Sequence, residues 1–476
     1  MDETRPEAEA TRASWGEILV GRRGFYTLII NFGTLLFGAD TFVVTTLLPT
    51  IVGDIGEVAF YAWVMMLFLV GAIVGSASYA PLRARLGGRN ALILGAAAFT
   101  LGALGCALAP AMRPLLVARL GEGWGGGMIA AGTLAFINAL FEPRLRTRAI
   151  AFTSITYIAS SLLGPMIGGL FAALGVWRGA FWLYVPFGAL FVIAVLLGIP
   201  RDADRAGATR FPVWRLLLLG AGVVAIGAAG RVRGAFLPAA LVAGAVWCVW
   251  YAFAKDAGAR SRLFPSHPLS LTRAVGLGYW TLILMVVAYT AISIFLPLVL
   301  TVLYGVPPLF VGVVNGTMSV SWSVAATLVA GLSGGAERRV MAAGPLCLFA
   351  GSAGLAATTW FGGSLDLVAT LAVLIGFGVG ALNVHIMAKV MAAALPGEES
   401  ITASSLSTIR SLGMAFGAAV AGAVANLAGL DEVASPDAVR AAATGVYLVN
   451  AMPIALCFAA VLRFFRASAR TARAAT

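Results

Sequence analysis

Long apolar runs separated by short polar loops extend from residue 25 to residue 464. Most of the runs reach the roughly 20 residues that a helix needs to cross a hydrocarbon layer about 30 Å thick. The pattern therefore predicts an all-α membrane protein with about fourteen transmembrane helices. They are placed near 25–49, 59–80, 91–110, 113–140, 148–174, 179–199, 213–229, 234–254, 275–302, 308–332, 340–360, 364–394, 402–428 and 441–464. The seventh is short, so twelve or thirteen spans are the alternatives.

The composition agrees with a membrane location. Hydrophobic residues make up 60% of the 476 residues and charged residues only 11%, with a mean hydropathy of +0.95. A soluble domain needs far more charge to cover its surface, so this class is excluded. The net charge of +12 would suit a nucleic-acid partner, but the arginines lie in short loops between apolar runs. They are better explained as topology signals, and no nucleic-acid partner is expected.

The arginines also predict the orientation of the chain. With the N-terminus in the cytoplasm, the inner loops carry most of them, including Arg83, Arg85, Arg89, Arg144, Arg146, Arg148, Arg338 and Arg339. The outer loops hold few basic residues and several acids, such as Asp54 and Glu57. The positive-inside rule then places both termini in the cytoplasm. The expected location of the protein is the inner membrane of a bacterium.

Two similar loops indicate an internal repeat. Residues 80–89 and 330–339 each follow the second helix of a six-helix block, and both are rich in glycine and arginine. The predicted domains are a cytoplasmic tail (1–24), a six-helix bundle (25–199), a linker with two inserted helices (200–274), a second six-helix bundle (275–464) and a cytoplasmic tail (465–476). Two facing bundles are the usual architecture for alternating access at a midplane site.

Motifs in several helices strengthen this interpretation. Residues 39–49 read ADTFVVTTLLP, residues 119–127 read RLGEGWGGG, residues 160–169 read SSLLGPMIGG, and residues 410–413 read RSLG. Because these motifs occur in this order along the chain, it resembles the major facilitator superfamily, and within it the fourteen-spanner drug:proton antiporters. The resemblance implies proton-coupled export of amphipathic small molecules, with helices 1, 4, 9 and 12 lining a central cavity.

The chain departs from the family pattern in places. The loop after the second helix matches the superfamily's gating motif at Arg85, Gly87 and Arg89, but Ala84 stands where the family has an aspartate. The family's charge network around that aspartate is therefore in doubt here. Glu122 stands where the family has a neutral glutamine.

Two acids lie well inside predicted helices, where an unpaired charge costs about 2.5 kcal/mol or more. Asp40 and Glu122 each lie about 14 Å from the outer end of their helix, and Arg119 shares a helix face with Glu122. We expect a cluster in which two carboxylates share one arginine, so that one of them holds a proton. Glu122 is the better candidate proton carrier. The alternative is that Asp40 and Arg119 form a purely structural ion pair.

The C-terminal half offers further polar candidates. His385 and Lys389 share a helix face, and Arg410 lies at a depth similar to that of His385. His385 is a candidate for titration during transport, whereas Lys389 is expected to snorkel to the interface. Other candidates for the cavity lining, which could equally be packing residues or interface anchors, are Tyr279, Trp280, Tyr289, Asn315, Trp322 and Asn383.

Small residues in the fifth helix predict a kinked, tightly packed segment, formed by Gly164, Pro165, Gly168 and Gly169. By the resemblance this segment seals the cavity against proton leak, although packing alone would also explain the glycines.

The chain shows no phosphate loop, no metal-ligand spacing and no catalytic triad. We therefore expect no enzyme activity, no metal and no cofactor. The four cysteines are expected to be packing residues: Cys106, Cys248, Cys347 and Cys457.

The expected partners are a small-molecule substrate, protons and the lipid bilayer, and the protein is expected to be a monomer. Alternatives are transport of one metabolite or lipid in either direction, a channel, or a non-transporting receptor or scaffold.

Overall fold

The computed structural model describes residues 16–201, 213–232, 234, 236–259, 262–430 and 434–474. Residues 1–15 of the predicted N-terminal tail and 202–212 of the predicted linker lie outside the described residues. The described part is helical and contains no strand. Its α-helices are α1 (Gly21–Ile55), α2 (Tyr61–Leu86), α3 (Gly88–Leu108), α4 (Met112–Leu140), α5 (Pro143–Ala173), α6 (Trp177–Gly198), α7 (Val213–Ala229), α8 (Phe236–Ala257), α9 (Ala274–Val302), α10 (Pro308–Val329), α11 (Gly334–Phe361), α12 (Leu365–Ala392), α13 (Glu399–Leu427), α14 (Pro436–Val449) and α15 (Ala451–Ala474).

The helices follow the predicted apolar runs because backbone polar groups must be satisfied internally within a hydrocarbon layer. Among the described residues, twelve helical segments are long and apolar enough to cross a membrane, and a shorter apolar helix covers Trp214–Ala229. The predicted count of fourteen is thus not confirmed. The 29-residue helix α4 is not one of the twelve.

The last predicted helix, 441–464, is longer than expected and is interrupted. It begins at Pro436, where Ser435 accepts a hydrogen bond from the Ala438 amide, and α15 continues after Asn450. The two pieces form one segment long enough to span a membrane, Pro436–Ala467. The sequence therefore predicted the existence of this helix, but not its cap or its break.

Polar contacts between helix ends define two faces of the molecule. At one face, Arg178 at the start of α6 donates to Asp54 Oδ2 at the end of α1 (2.6 Å) and to the Ala109 carbonyl after α3 (3.0 Å). At the other face, Glu142 before α5 pairs with Arg23 at the start of α1. We call these the Asp54 face and the Glu142 face. Helix α1 therefore runs from the Glu142 face to the Asp54 face, and α6 begins at the Asp54 face and runs back.

The groups α1–α6 and α9–α15 meet near the Asp54 face. Tyr61 of α2 donates to the Ile294 carbonyl of α9 (2.9 Å), and Asn426 of α13 donates to the Ala59 carbonyl (3.0 Å). On α10, Gly312 lies directly against the Pro165 carbonyl of α5. These contacts close the Asp54 face over the middle of the bundle, where the candidate site lies.

The short helix α7 lies across both groups of helices. Its Gly227 packs on Met66 of α2, and Gly230, just after its end, packs on Ala423 of α13. At the Glu142 face, Arg215 of α7 donates to Asp256 Oδ1 of α8 (2.5 Å). Asp256 also accepts from the Leu263 amide (2.9 Å), so the ion pair fixes the inserted helices to the linker that leads into α9.

Candidate functional site

The centre of the first six helices contains a buried ion cluster of Asp40, Arg119 and Glu122. Arg119 Nη1 of α4 lies 3.0 Å from both carboxylate oxygens of Asp40 on α1. The same nitrogen lies 2.7 Å from Glu122 Oε2, one turn further along α4. All three residues have 0% of their surface exposed. The structure thus brings together the three residues that the sequence predicted as a cluster.

Close packing of α2 against α4 positions the arginine. A Cβ on Gly71 of α2 would collide with the Leu120 carbonyl, and one on Gly123 of α4 would collide with the Phe68 carbonyl. Because only glycine permits this approach, Arg119 Nε reaches the Val64 carbonyl (3.4 Å), and its guanidinium carbon lies 4.1 Å from the centre of the Phe68 ring. The guanidinium is therefore held by an aromatic face and a backbone oxygen as well as by the carboxylates.

Helix α3 completes the cluster through a residue that sequence reasoning assigned to packing. Cys106 Sγ donates to Glu122 Oε2 at 3.3 Å, and a Cβ on Gly102, one turn earlier, would lie 2.5 Å from the Glu122 backbone. Nothing in the sequence marks Cys106, because its contact depends on how closely α3 approaches α4.

Two buried polar atoms of the cluster have no hydrogen-bond partner among the described residues. They are Glu122 Oε1 and Arg119 Nη2. With both carboxylates ionised, the cluster carries one positive and two negative charges, so a single proton makes it neutral. Since uncompensated charge is costly at membrane depth, this arrangement can bind and release a proton or a cation.

The glycine-proline segment of α5 lies between α1 and α10. A Cβ on Gly164 would lie 2.6 Å from Phe42 Cβ, and one on Gly168 would lie 2.5 Å from the Val43 carbonyl oxygen. On the other side, a Cβ on Gly169 would lie 2.7 Å from the Pro308 carbonyl oxygen, next to the contact between Pro165 and Gly312. The predicted tight packing is present, and it joins α5 to both groups of helices.

An aromatic group surrounds Arg410 of α13. Its Nη2 donates to the Tyr157 hydroxyl of α5 (2.9 Å), and its guanidinium carbon lies 5.9 Å from the Trp322 ring centre. Trp322 meets Tyr289 edge-on, with ring centres 5.1 Å apart. Three predicted candidates therefore lie together. Tyr157 was not predicted, because it is 253 residues from its partner and no sequence spacing links them.

His385 lies apart from this aromatic group, against α11. Its Nδ1 lies 3.5 Å from Glu337 Oε1, and Lys389 Nζ lies 2.9 Å from the same oxygen. The Lys389 side chain is 33% exposed, and an acid one helix away pairs with its ammonium. Glu337 was missed because α11 begins at Gly334, six residues before the predicted start, which places this acid on the helix.

The other candidate lining residues are Tyr279, Trp280, Asn315 and Asn383. The Tyr279 hydroxyl bonds Ser405 at 2.5 Å and is fully buried between α9 and α13, and Trp280 donates to the Leu269 carbonyl (3.1 Å). These are packing and anchoring contacts. Asn315 is buried on α10, and Asn383 Oδ1 has no partner among the described residues.

The loop resembling the gating motif is a tight turn between α2 and α3. Gly87 has φ of +81°, a conformation that favours glycine, and its amide donates to the Arg83 carbonyl (2.9 Å). Arg85 is exposed and Arg89 is half-buried. The turn explains Gly87 on backbone grounds alone. Across the described residues, no group of three or more His, Cys, Asp or Glu side chains could hold a metal ion.

Comparison with known proteins decides the family. The family model described as the Major Facilitator Superfamily matches residues 30–418. The chain belongs to the major facilitator superfamily. Relatives in two strains of Mycobacterium tuberculosis, each named a probable multidrug-efflux transporter, are 31% identical over 484 residues, covering 98% of this chain and 99% of the relative. Multidrug resistance protein 3 of Bacillus subtilis is 28% identical over 172 residues, covering 36% of this chain and 34% of that protein.

Solved structures show the same fold. A POT family transporter in complex with 5-aminolevulinic acid superposes with a TM-score of 0.66 at 13% identity, covering 94% of this chain and 96% of that one. A D-xylose-proton symporter gives 0.61 at 14% identity, covering 91% and 97%. Its membership of the superfamily, together with full-length relatives named as transporters, makes the chain a multi-pass membrane transporter of small molecules and not an enzyme.

Proposed function

We propose that this transporter exports amphipathic small molecules in exchange for protons, by alternating access. The observation that carries the proposal is the fully buried cluster in which Arg119 faces two carboxylates, those of Asp40 and Glu122. A structural ion pair needs only one acid for one arginine. The second acid, with one oxygen unpaired, is the feature that a proton carrier requires.

Glu122 is the proposed proton carrier. Asp40 contacts Arg119 through both of its oxygens, whereas Glu122 contacts it through one oxygen and also accepts from Cys106. A proton on Glu122 makes the closed cluster neutral, and opening of the cavity to water gives that proton an exit. Asp40 keeps the guanidinium in place in both states.

The helix contacts support a mechanism in which two bundles rock against each other. The two proposed bundles are residues 25–199 and 275–464, and they meet at the Asp54 face through Tyr61 and through the contact between Gly312 and Pro165. These contacts must separate when the cavity opens toward the Asp54 face. The glycine segment of α5 is then the seal that keeps protons from leaking while this face is closed.

We place the Glu142 face in the cytoplasm, because the loops at that face carry most of the arginines. Fourteen spans follow if α4 and α7 also cross the membrane, which puts both chain termini inside the cell. A monomer is sufficient for this arrangement, since both proposed bundles belong to one chain.

The substrate class is inferred from the aromatic group around Arg410. Tyr157, Trp322 and Tyr289 offer flat apolar faces beside a polar centre, which suits amphipathic molecules with aromatic rings. The names of the full-length relatives, probable multidrug-efflux transporters, agree with this class.

The test is efflux of a cationic aromatic dye from cells that express the wild type or Glu122→Gln, with and without a proton uncoupler. We expect the wild type to export dye only while the proton gradient is present, and Glu122→Gln to lose that export at equal expression. The matched control is Asp366→Asn, which removes one negative charge at an exposed position in the first turn of α12.

Gradient-dependent efflux that survives in Glu122→Gln would overturn the role of Glu122 while leaving the transport proposal intact. Efflux that is insensitive to the uncoupler would overturn proton coupling. An absence of dye efflux by the wild type would overturn the multidrug proposal and favour a single metabolite as substrate.

A further inference from the structure

An apolar groove runs along α7, a helix that crosses the membrane in the proposed fourteen-span arrangement. Its deeper part, about 530 Å³, is enclosed by α2, α4 and α7. Its walls are mostly aliphatic and include Val74, Leu120, Gly121, Leu217 and Val224. It continues into a shallower depression of about 580 Å³ beside α8, which shares Leu217 and Ala221 with the deeper part.

The length and position of the groove fit one lipid chain. It extends from Trp214 at the start of α7 to Val224, ten residues or about 15 Å along the helix. This is about half the thickness of a hydrocarbon layer of roughly 30 Å, a length that one acyl chain spans. Trp214 and Leu217 are 44% and 53% exposed, so the groove opens sideways toward lipid.

The end of the groove at the Glu142 face carries aromatic rings and a cation. The Trp214 and Tyr251 rings lie 6.0 Å apart, and Trp247 stacks on Tyr251 at 4.9 Å. The Lys255 ammonium lies 5.5 Å from the centre of the Tyr251 ring. Arg215 pairs with Asp256, and within the described part of the chain the exposed Lys255 lies beside this end of the groove. Amphipathic rings and a lysine at this level suit a lipid headgroup region.

We propose that this groove is a binding site for one anionic phospholipid, with an acyl chain along α7 and the phosphate at Lys255. The charge of Lys255 complements the phosphate, and the apolar walls complement the chain. An amphipathic transport substrate fits less well, because α4 separates the groove from Asp40, Arg119 and Glu122.

The lipid would contact the helices that hold the ion cluster. On α2, the groove is lined by Leu67, Val70 and Gly71, which follow Val64 by three to seven residues. The Val64 carbonyl accepts from Arg119. Leu120 and Gly121 of α4 lie between Arg119 and Glu122 in sequence. The bound chain therefore supports the α2–α4 pair from its outer side. The inference rests on the groove and does not depend on proton coupling.

The test is native mass spectrometry of the full-length protein with phosphatidylglycerol or phosphatidylcholine of identical acyl chains. We expect the wild type to retain one phosphatidylglycerol in preference to phosphatidylcholine. Lys255→Gln should reduce that preference about fivefold, the effect of one lysine near an anionic lipid. Ala221 is an exposed residue shared by both parts of the groove, and Ala221→Trp fills part of the space for the acyl chain. We expect it to reduce binding of both lipids about tenfold, the effect of losing contact with about two methylene groups of the chain.

The matched controls are Arg463→Gln, an exposed cation on α15, and Ala243→Trp, an exposed alanine on α8 that lines neither part of the groove. Both should bind lipid like the wild type. Unchanged binding by Ala221→Trp would overturn the site, and an unchanged lipid preference in Lys255→Gln would overturn the headgroup position. Displacement of the retained lipid by a transported dye would assign the groove to substrate and also overturn the proposal.

Discussion

Glu122 Oε2 lies 2.7 Å from the Arg119 nitrogen that also contacts both carboxylate oxygens of Asp40. One guanidinium thus serves two acids from two different helices, at a depth where none of the three side chains is exposed. Removal of the arginine would leave two carboxylates facing each other without a counter-charge. Removal of either acid would leave the remaining pair balanced.

The first prediction follows from this asymmetry. Arg119→Met should destabilise the protein by roughly 3–5 kcal/mol, the cost of breaking a buried ion pair from one side. Glu122→Gln should change stability much less, because Asp40 and Arg119 remain paired. Thermal unfolding of the purified proteins in detergent measures both effects. The triple variant Asp40→Asn, Arg119→Met, Glu122→Gln should recover much of the loss, and an Arg119→Met protein as stable as the wild type would contradict the arrangement.

The second prediction concerns the contact between α5 and α10. A Cβ on Gly312 would collide with the Pro165 carbonyl, so Gly312→Ala should push the two helices apart near the Asp54 face. We expect transport to become slower. A cysteine introduced at Thr46, a buried α1 residue that packs near Gly168, should also react faster with a polar thiol reagent. Gly244→Ala on α8 is the control, because nothing lies within 4 Å of its added Cβ. Equal labelling in the two backgrounds would show that this contact does not hold the face closed.

The sequence predicted the cluster because the depth of each acid and the spacing of Arg119 from Glu122 follow from single helices. Helical rise placed Asp40 and Glu122 at one depth, and helical periodicity placed Arg119 beside Glu122. The positions of the helices were predicted for the same reason, since each one is a continuous apolar run. Family membership, inferred from short motifs in order, was confirmed by the match over residues 30–418.

The missed residues depend on contacts between helices. Cys106, Tyr157 and Glu337 each reach a partner on another helix, and Tyr157 meets Arg410 across 253 residues. No periodicity links such pairs, because the approach and rotation of the helices decide the contact. The early start of α11 shows a second limit: a glycine-rich, charged first turn has the composition of a loop although it is helical.

The third prediction separates the two interactions between Tyr157 and Arg410. Tyr157→Phe keeps the ring beside the guanidinium and loses the hydroxyl that accepts at 2.9 Å, whereas Tyr157→Leu loses both. A hydrogen bond to a charged group is worth about 1.5–3 kcal/mol. We expect dye transport to fall in Tyr157→Phe and to fall further in Tyr157→Leu, as measured by initial efflux rates. The exposed aromatic Trp250→Leu on α8 is the control. Equal rates in Tyr157→Leu and the wild type would remove this group from the transport pathway.

The fourth prediction concerns Glu398, which lies just before α13 and outside the membrane-spanning segments. It accepts hydrogen bonds from the Ser266 amide (2.8 Å) and hydroxyl (2.5 Å), and Arg262 lies 3.0 Å away. Burial alone would raise the pKa of this carboxyl, but the bonds from Ser266 and the charge of Arg262 outweigh it and lower the pKa below its usual 4.5. The ionised carboxylate therefore holds the linker before α9 against the start of α13.

Because the folded pKa is lowered, the stabilisation by Glu398 is fully present above pH 4.5 and is lost as the pH falls through the folded value. Glu398→Gln should therefore melt below the wild type at pH 7, and the difference should shrink as the pH falls below 4.5. Melting temperatures of the two purified proteins across this pH range test the prediction. Glu399→Gln removes the same charge at the next, exposed position and should match the wild type throughout. If the melting temperature of Glu398→Gln stays below that of the wild type by the same amount from pH 7 down to acid pH, then the shape of the side chain, and not its charge, holds the linker in place.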